Sequence, residues 1–350
     1  MLDLFVPVVP DERQHPIFRM LLQPSNAPER AVIDAWASGF VDRCGKFTKE
    51  FQTTFESSFW ELYVHAALRA SGAQIDFSHA SPDFVVSTPT SFVVEATIAG
   101  PAQGQPPAFG PGPPVVPTDL NEFNRQAILR LCNSLSAKST RFLSYYAGLP
   151  HVKDKPFVIA LAPFDRPSAH LASHRALNAA LYGVYDDEEA TLRERSAEIL
   201  RYDISSVSKH AGASVPVGLF TSTAYRQVSA VVYSALATWG KVRALADAPE
   251  RHTAYQTLHP NPTSIVPRYR VSQQGAYREH LLDGLYVAHN PYADYPLPLA
   301  TFDSAHVARF VPIAGRAVEL HMPADFLLWR QLWTLQPQGD ASTHRGQRDG

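Results

Sequence analysis

The sequence predicts an α/β protein in which helices pack on a central sheet. Three observations predict this class: a helical pattern over about 55–70, three short strand-like runs after it, and a long helical pattern over 120–146 that leads into an apolar run at 156–164. An uninterrupted apolar run of that length is typical of a strand covered on both faces. The chain has 350 residues, of which 45% are hydrophobic, and this is enough for a large core.

The first elements follow from local spacing. Segment 31–44 has helical periodicity, and the helix over 55–70 should end at Ser71–Gly72, because glycine is a common helix terminator. The three strand-like runs are 73–78, 83–87 and 91–99. A Ser-Thr-Pro-Thr turn joins the last two runs and predicts a hairpin.

The later elements are predicted in the same way. Segment 100–117 contains seven Pro and four Gly, so it should be a long surface loop. Asp119 can cap the long helix that follows. Beyond the apolar strand, the patterns predict a charged helical region at 168–201, strands at 215–220, 228–236 and 284–291, an irregular stretch at 246–278 and a short amphipathic helix at 324–333.

These elements suggest one α/β core with additions at both ends. The predicted units are an N-terminal helical segment at 1–50, the core at 51–165, an extension of that core at 166–335 and a polar, disordered tail at 336–350.

Composition limits the classes of function. Lys and Arg total 31 against 33 Asp and Glu, which argues against a protein that coats nucleic acid with positive charge. The two cysteines, Cys44 and Cys132, are far apart, which excludes a disulfide scaffold and a cysteine zinc site and suits a reducing compartment. No apolar run reaches the roughly 18 residues of a membrane span, and the start is a poor signal peptide. We expect a cytoplasmic protein with no membrane partner.

Two carboxylates on the predicted hairpin are the first candidates for chemistry. Asp83 follows Pro82 at the start of one strand, and Glu95 lies twelve residues later on the next. Glu95 shares a strand face with Val93, so it should be drawn into a covered sheet, where a lone carboxylate is costly. A hard cation such as Mg²⁺, or Mn²⁺, would relieve the repulsion between the two groups. Taken singly, each residue also fits a plain role in a turn or on a solvent-facing strand.

Lys138 lies on the apolar stripe of the long helix, together with Leu131 and Leu135. A lysine there either extends along the surface to reach solvent or meets a buried carboxylate. If it meets the Asp83–Glu95 pair, it can position a nucleophile or stabilise negative charge.

Two glutamates on the preceding helix are alternative members of the site. On a helical wheel Glu56 lies among apolar residues, whereas Glu61 lies on the polar side with Ser57 and His65. The wheel therefore favours Glu56 as the inward residue that completes a metal site, and the other glutamate would belong to a solvated face.

The order of these residues resembles the PD-(D/E)XK nuclease superfamily. The matching parts are a helix with Glu, then Pro82–Asp83, then Glu95-Ala96-Thr97, then a helix and a buried strand, over about 51–164. The helix also resembles the opening helix of Mrr-like restriction nucleases, and that spacing selects Glu61, eleven residues before Gly72. One position departs from the pattern, because Thr97 stands where the family has its lysine. Some members carry the lysine on the following helix, where Lys138 lies.

The resemblance implies a restriction-endonuclease-like mixed central sheet flanked by helices, with a C-terminal α/β extension. It also implies a Mg²⁺-dependent endonuclease acting on DNA, in restriction or phage defence. Cutting a duplex needs two active sites, which a homodimer would supply, or two events. Two other hypotheses stay open: a degenerate module on the same fold that binds nucleic acid or a protein without cutting, and a structural or regulatory protein with no nucleic-acid role.

Overall fold

The computed structural model describes residues 2–109, 116–209 and 212–335. Its α-helices are α1 Pro16–Leu21, α2 Ala27–Ala37, α3 Phe47–Thr53, α4 Phe55–Ala70, α5 Leu120–Ser144, α6 Arg175–Tyr182, α7 Glu188–Glu194 and α8 Trp239–Leu245. Its strands are β1 Gln74–Asp76, β2 Phe84–Thr88, β3 Phe92–Ile98, β4 Phe157–Ala162, β5 Val184–Asp186, β6 Arg201–Asp203, β7 Ser206–Ser208, β8 Ser214–Pro216, β9 Ala230–Tyr233, β10 His252–His259, β11 Arg268–Gln273, β12 Leu285–His289, β13 Val307–Pro312, β14 Val318–His321 and β15 Trp329–Leu335.

A central sheet of eight strands organises the molecule, in the order β1-β2-β3-β4-β9-β12-β13-β14. The pairs β3–β4, β4–β9 and β12–β13 are parallel and the other neighbours are antiparallel, so the sheet is mixed. One face packs on α2, α3 and α4, and the other packs on α5 and α6. The predicted α/β class, with helices on a large mixed sheet, is confirmed. Strands from both sides of residue 165 belong to this one sheet.

Helix α4 has the predicted bounds and is buried almost all round. Its aromatic side chains pack against β2, β3 and β4, and Trp60 Nε1 donates a hydrogen bond to the Ala160 carbonyl at 3.0 Å. Gly72 ends the helix with φ of +81°, and Ala73 N donates to the Leu68 carbonyl at 3.0 Å. This is the Schellman arrangement, which favours glycine at the left-handed position.

Helix α5 forms as its cap and its apolar stripe predict. The Asp119 carboxylate accepts a hydrogen bond from Glu122 N at 2.7 Å, which satisfies one of the free N–H groups of the first turn. The stripe residues Ile128, Leu131 and Leu135 are buried against the sheet. Next to them runs β4, all six residues of which are buried, as its apolar sequence predicts.

Four predictions about secondary structure are wrong in whole or in part. Segment 324–333 contains no helix but holds the start of β15, and the stretch 246–278 contains β10 and β11. Strand β10 pairs with β15 across more than 70 residues of sequence, so this pairing has no local signal, whereas β10 and β11 pair over fewer than 20 residues. Region 168–201 is broken by β5, and of 215–220 only the first two residues belong to a strand, β8. Strands β13 and β14 were not predicted.

The described part of the Pro-rich loop contains no helix or strand, and Phe109 anchors it against Phe164, with ring centroids 4.7 Å apart. Residues 110–115 of this loop and the predicted tail at 336–350 lie outside the described residues. In the part of the chain that the structure describes, no helix has both the length and the apolar character needed to cross a bilayer.

A buried ionic network joins the three-stranded sheet β11-β10-β15 to the central sheet. The side chains of Lys241 and Glu279 are both 0% exposed, and Lys241 Nζ lies 2.5 Å from Glu279 Oε1. Arg330 also pairs with that oxygen, and Tyr277 donates to the other carboxylate oxygen at 2.7 Å. Two buried cations therefore share one carboxylate.

The substitution Glu279→Gln should destabilise the protein strongly, because it leaves two buried cations without their counter-charge. We expect the free energy of unfolding to fall by about 3–5 kcal/mol, measured by urea denaturation. The matched control is Asp325→Asn at the exposed ion pair with Arg270, where no measurable change is expected. Equal effects of the two substitutions would contradict a structural role for the network.

Candidate functional site

The candidate site lies where β2 separates from β3. The two strands pair from Val86–Phe92 to Phe84–Val94, and β3 then continues to Ile98 while it pairs only with β4. The second half of β3 thus has a free backbone edge. Continuing the register by one residue sets Asp83 opposite Glu95, so the fork brings the two predicted carboxylates together.

Asp83 closes the fork by replacing a ladder hydrogen bond. Its Oδ2 accepts a hydrogen bond from the Ala96 N–H at 2.7 Å, a donor that no strand pairs on that side. Burial and the negative charge of Glu95 raise the pKa of Asp83 to about 7. The Ala96 hydrogen bond and the charges of Lys138 and Arg43 act in the opposite direction without cancelling this shift.

Glu95 is 4% exposed and meets Lys138 on the α5 side of the sheet. Lys138 Nζ lies 2.7 Å from Glu95 Oε1, and the lysine side chain is 28% exposed. Of the two predicted fates of Lys138, the meeting with a buried carboxylate is therefore the one observed. The other oxygen, Glu95 Oε2, is buried and accepts no hydrogen bond of normal geometry.

Helix α5 follows β3 with three polar side chains four residues apart. Arg130 donates to the Gly100 carbonyl at 2.9 Å, Ser134 donates to the Ile98 carbonyl at 3.3 Å, and Lys138 reaches Glu95. Residues at this spacing share one face of a helix. The contacts fix how far α5 can slide along β3, and so they fix the position of the Lys138 amine.

Glu61 belongs to the same electrostatic cluster. Burial and then the charge of Asp83 raise the pKa of Glu61 to about 8, with a smaller contribution from Glu95. Arg43 opposes the shift, and its guanidinium also donates to the carbonyls of His79 and Pro82, at 2.5 and 3.1 Å. Arg43 thus holds the loop that carries Asp83.

Glu56 lies elsewhere. Its Oε1 is 3.4 Å from His15 Nε2, close to the N-terminus of α1. The helical wheel favoured Glu56 because it assumes that α4 has one face in solvent. In the structure α1, α2 and α3 pack around this helix, and Glu61 points toward the fork. Thr97 lies on the same face of β3 as Glu95, two residues further along, and is half-buried.

Three neighbours of the site have no local sequence signal. Arg43 comes from the loop after α2, and Tyr146 lies just beyond α5, where burial and then the charge of Glu95 raise the pKa of its hydroxyl. His151 Nε2 donates a hydrogen bond to the Ser81 carbonyl at 2.7 Å, and its ring stacks on His79 with ring centroids 3.7 Å apart. Only the folded chain brings them to Asp83.

The residues fit a hard divalent cation in part. Asp83 and Glu95 supply two carboxylates, and the unpaired Glu95 Oε2 is a ready ligand. Among residues 2–109, 116–209 and 212–335, no three His, Cys, Asp or Glu side chains are grouped closely enough to hold a metal by themselves. Mg²⁺ is commonly held by one or two carboxylates, with water and phosphate oxygens as its other ligands. The donor set therefore suits Mg²⁺ or Mn²⁺ better than a metal that needs a complete protein cage.

Comparisons of the chain with models of known families, with curated proteins and with solved structures found no match. The resemblance to PD-(D/E)XK nucleases therefore stays a prediction that depends on Asp83, Glu95 and Lys138.

The raised pKa of Glu61 makes the stability of the site depend on pH. A carboxyl whose pKa is higher in the folded than in the unfolded state favours folding when protonated, and this contribution is lost as the pH rises through the folded value. Glu61→Gln cannot ionise. The melting temperature of this variant minus that of the wild type should therefore increase between about pH 4.5 and about pH 8.

The control is Glu198→Gln on an exposed loop, for which the difference in melting temperature should stay constant over the same pH range. A Glu61→Gln variant that is less stable than the wild type at pH 8 would contradict the burial of Glu61 beside the charge of Asp83.

Proposed function

We propose that the protein is a metal-dependent nuclease that hydrolyses phosphodiester bonds of DNA, on a restriction-endonuclease-like core of the PD-(D/E)XK type. One observation carries the proposal: Asp83 and Glu95 meet at the strand fork, and Lys138 from the following helix binds Glu95. The lysine that the superfamily pattern requires is thus present in space although Thr97 occupies its usual position.

Each side chain has a distinct part. Asp83 and Glu95 hold Mg²⁺, or Mn²⁺, and the bound ion supplies positive charge at a phosphoryl oxygen. Lys138 orients Glu95 and, because an ammonium has three N–H donors, also stabilises negative charge on the phosphate. Glu61 supports the metal ligands, and its pKa near neutrality suits it to exchange a proton with water at the site.

The biological setting we propose is restriction or phage defence in the cytoplasm. Cutting both strands of a duplex takes two active sites or two successive events, and a homodimer would supply the two sites. The near-neutral charge of the whole chain is compatible with this setting if the DNA is bound locally, around the metal and the basic side chains near it.

A second candidate is a degenerate member that binds nucleic acid or a protein without cutting. Two observations favour it: Thr97 stands at the usual lysine position, and among the described residues no three His, Cys, Asp or Glu side chains are close enough together to hold a metal. Both candidates place the ligand at the same fork, so a cleavage assay on matched variants separates them.

The test measures Mg²⁺-dependent cleavage of supercoiled plasmid and of labelled single- and double-stranded DNA, with an RNA strand of the same sequence alongside. Asp83→Asn and Glu95→Gln should each lower cleavage at least about 100-fold, and Lys138→Met should do the same, because each removes preorganised charge at the reacting phosphate. EDTA should abolish cleavage by the wild type.

Matched controls are Lys153→Met and Glu198→Gln, both on exposed loops, which should cut like the wild type. Cleavage that survives both Asp83→Asn and Glu95→Gln would refute the nuclease proposal. A wild type that binds DNA as tightly as Asp83→Asn but never cuts would establish the degenerate module.

A further inference from the structure

A second cavity lies at the carboxyl ends of β4 and β9, outside the carboxylate site. Its volume is about 370 Å³, within the range of small-molecule sites. Its walls come from the segment after β4, the segment after β9 that leads into α8, and the free edge of β15. In open α/β sheets, the carboxyl ends of parallel strands are the usual place for ligands.

Aromatic side chains dominate this cavity. Three of the five tryptophans line it, namely Trp239, Trp329 and Trp333, and His170 lies opposite them. The other two, Trp36 and Trp60, are buried in the core on the α4 side of the sheet. Burial and then the charge of Arg330 lower the pKa of His170 to about 4, so this ring is neutral at pH 7 and suited to stacking.

The charged side chains that line the cavity are cations, and neutral polar residues such as Ser168, Thr238 and Gln331 lie beside them. The indole N–H of Trp329 is buried and has no hydrogen-bond partner. Protein atoms cover this N–H, so a ligand in the cavity would meet the Trp329 ring and not its N–H. Arg243 and Arg330 line the same wall; Arg330 is paired with Glu279, whereas Arg243 donates to the neutral hydroxyl of Thr334. The walls therefore suit a flat heteroaromatic ring with hydrogen-bond acceptors, attached to a negatively charged group.

The Pro-rich loop connects this cavity to the carboxylate site. The loop leaves β3 at Gly100, five residues after Glu95, where Arg130 holds its carbonyl. At its other end Val116 lines the cavity.

We propose that the cavity is a subsite for one unstacked base of the DNA strand, held between the tryptophan rings with its phosphate near Arg243. Aromatic rings bind bases in this way with little dependence on sequence. The inference rests on the proposed nuclease function for the identity of the strand. The base in the cavity would fix where along the strand the phosphate reaches Asp83 and Glu95.

The test uses deoxynucleoside 5′-monophosphates in EDTA, so that no cleavage chemistry takes part. Binding should quench the wild-type tryptophan fluorescence, because most of the accessible tryptophans line the cavity. Deoxyribose 5-phosphate, which lacks the base, should not quench it. Trp329→Ala should weaken the binding of a fluorescently labelled nucleotide, measured by anisotropy, about tenfold. A single-stranded oligonucleotide should lose affinity in the same variant.

Trp329→Phe keeps a ring and should bind better than Trp329→Ala, which separates stacking from a folding defect. The control Tyr202→Ala removes an exposed aromatic residue of β6 and should bind like the wild type. Absence of quenching in a wild type that cleaves DNA would overturn the subsite and leave the nuclease proposal standing. If the protein never cleaves DNA but binds nucleotides in a way that depends on Trp329, the nuclease proposal falls and the nucleotide subsite stands. Oligonucleotide binding that is unaffected by Trp329→Ala would also overturn the subsite.

Discussion

A charged group in the middle of a covered strand is the constraint around which this half of the molecule is arranged. Glu95 is almost fully buried on β3, and a carboxylate cannot stay there without a partner. Lys138 supplies one partner, and this fixes the register of α5 against the sheet. Asp83 is buried beside Glu95, and this burial together with the charge of Glu95 raises the pKa of Asp83. A second, mobile source of positive charge would relieve this crowding, which is the physical reason to look for a cation at the fork.

Much of this arrangement can be predicted from local sequence. Three local signals predict structure correctly. Gly72 ends α4, Asp119 caps α5, and the apolar run at 157–162 forms the buried strand β4. The lysine is more informative, because a cation on an apolar stripe either reaches solvent or meets a buried anion, and Glu95 is a candidate for that anion. Such inferences succeed where a charged residue lies in an otherwise apolar pattern, because the buried charge then needs a specific contact.

The rest depends on contacts that no local pattern encodes. The apolar residues of Trp329–Leu335 also fit one face of a helix. Only the pairing with β10 makes this segment a strand. The helical wheel misplaced Glu56 for a related reason. A wheel identifies an inward face only when a helix has one outward face, and α4 has none over most of its length. Arg43 and Tyr146 reach the fork from distant segments, and their roles depend on tertiary packing alone.

The order of strands in the central sheet has a consequence for shortened versions of this protein. Strand β4 lies between β3 and β9, and every one of its residues is buried. A fragment that ends soon after β4 would keep all the carboxylates of the fork but would expose the β9 side of β4 as a bare, apolar edge. Such edges recruit other chains. An isolated fragment that carries the fork should therefore aggregate unless it retains β9, so the smallest soluble unit extends well beyond the fork.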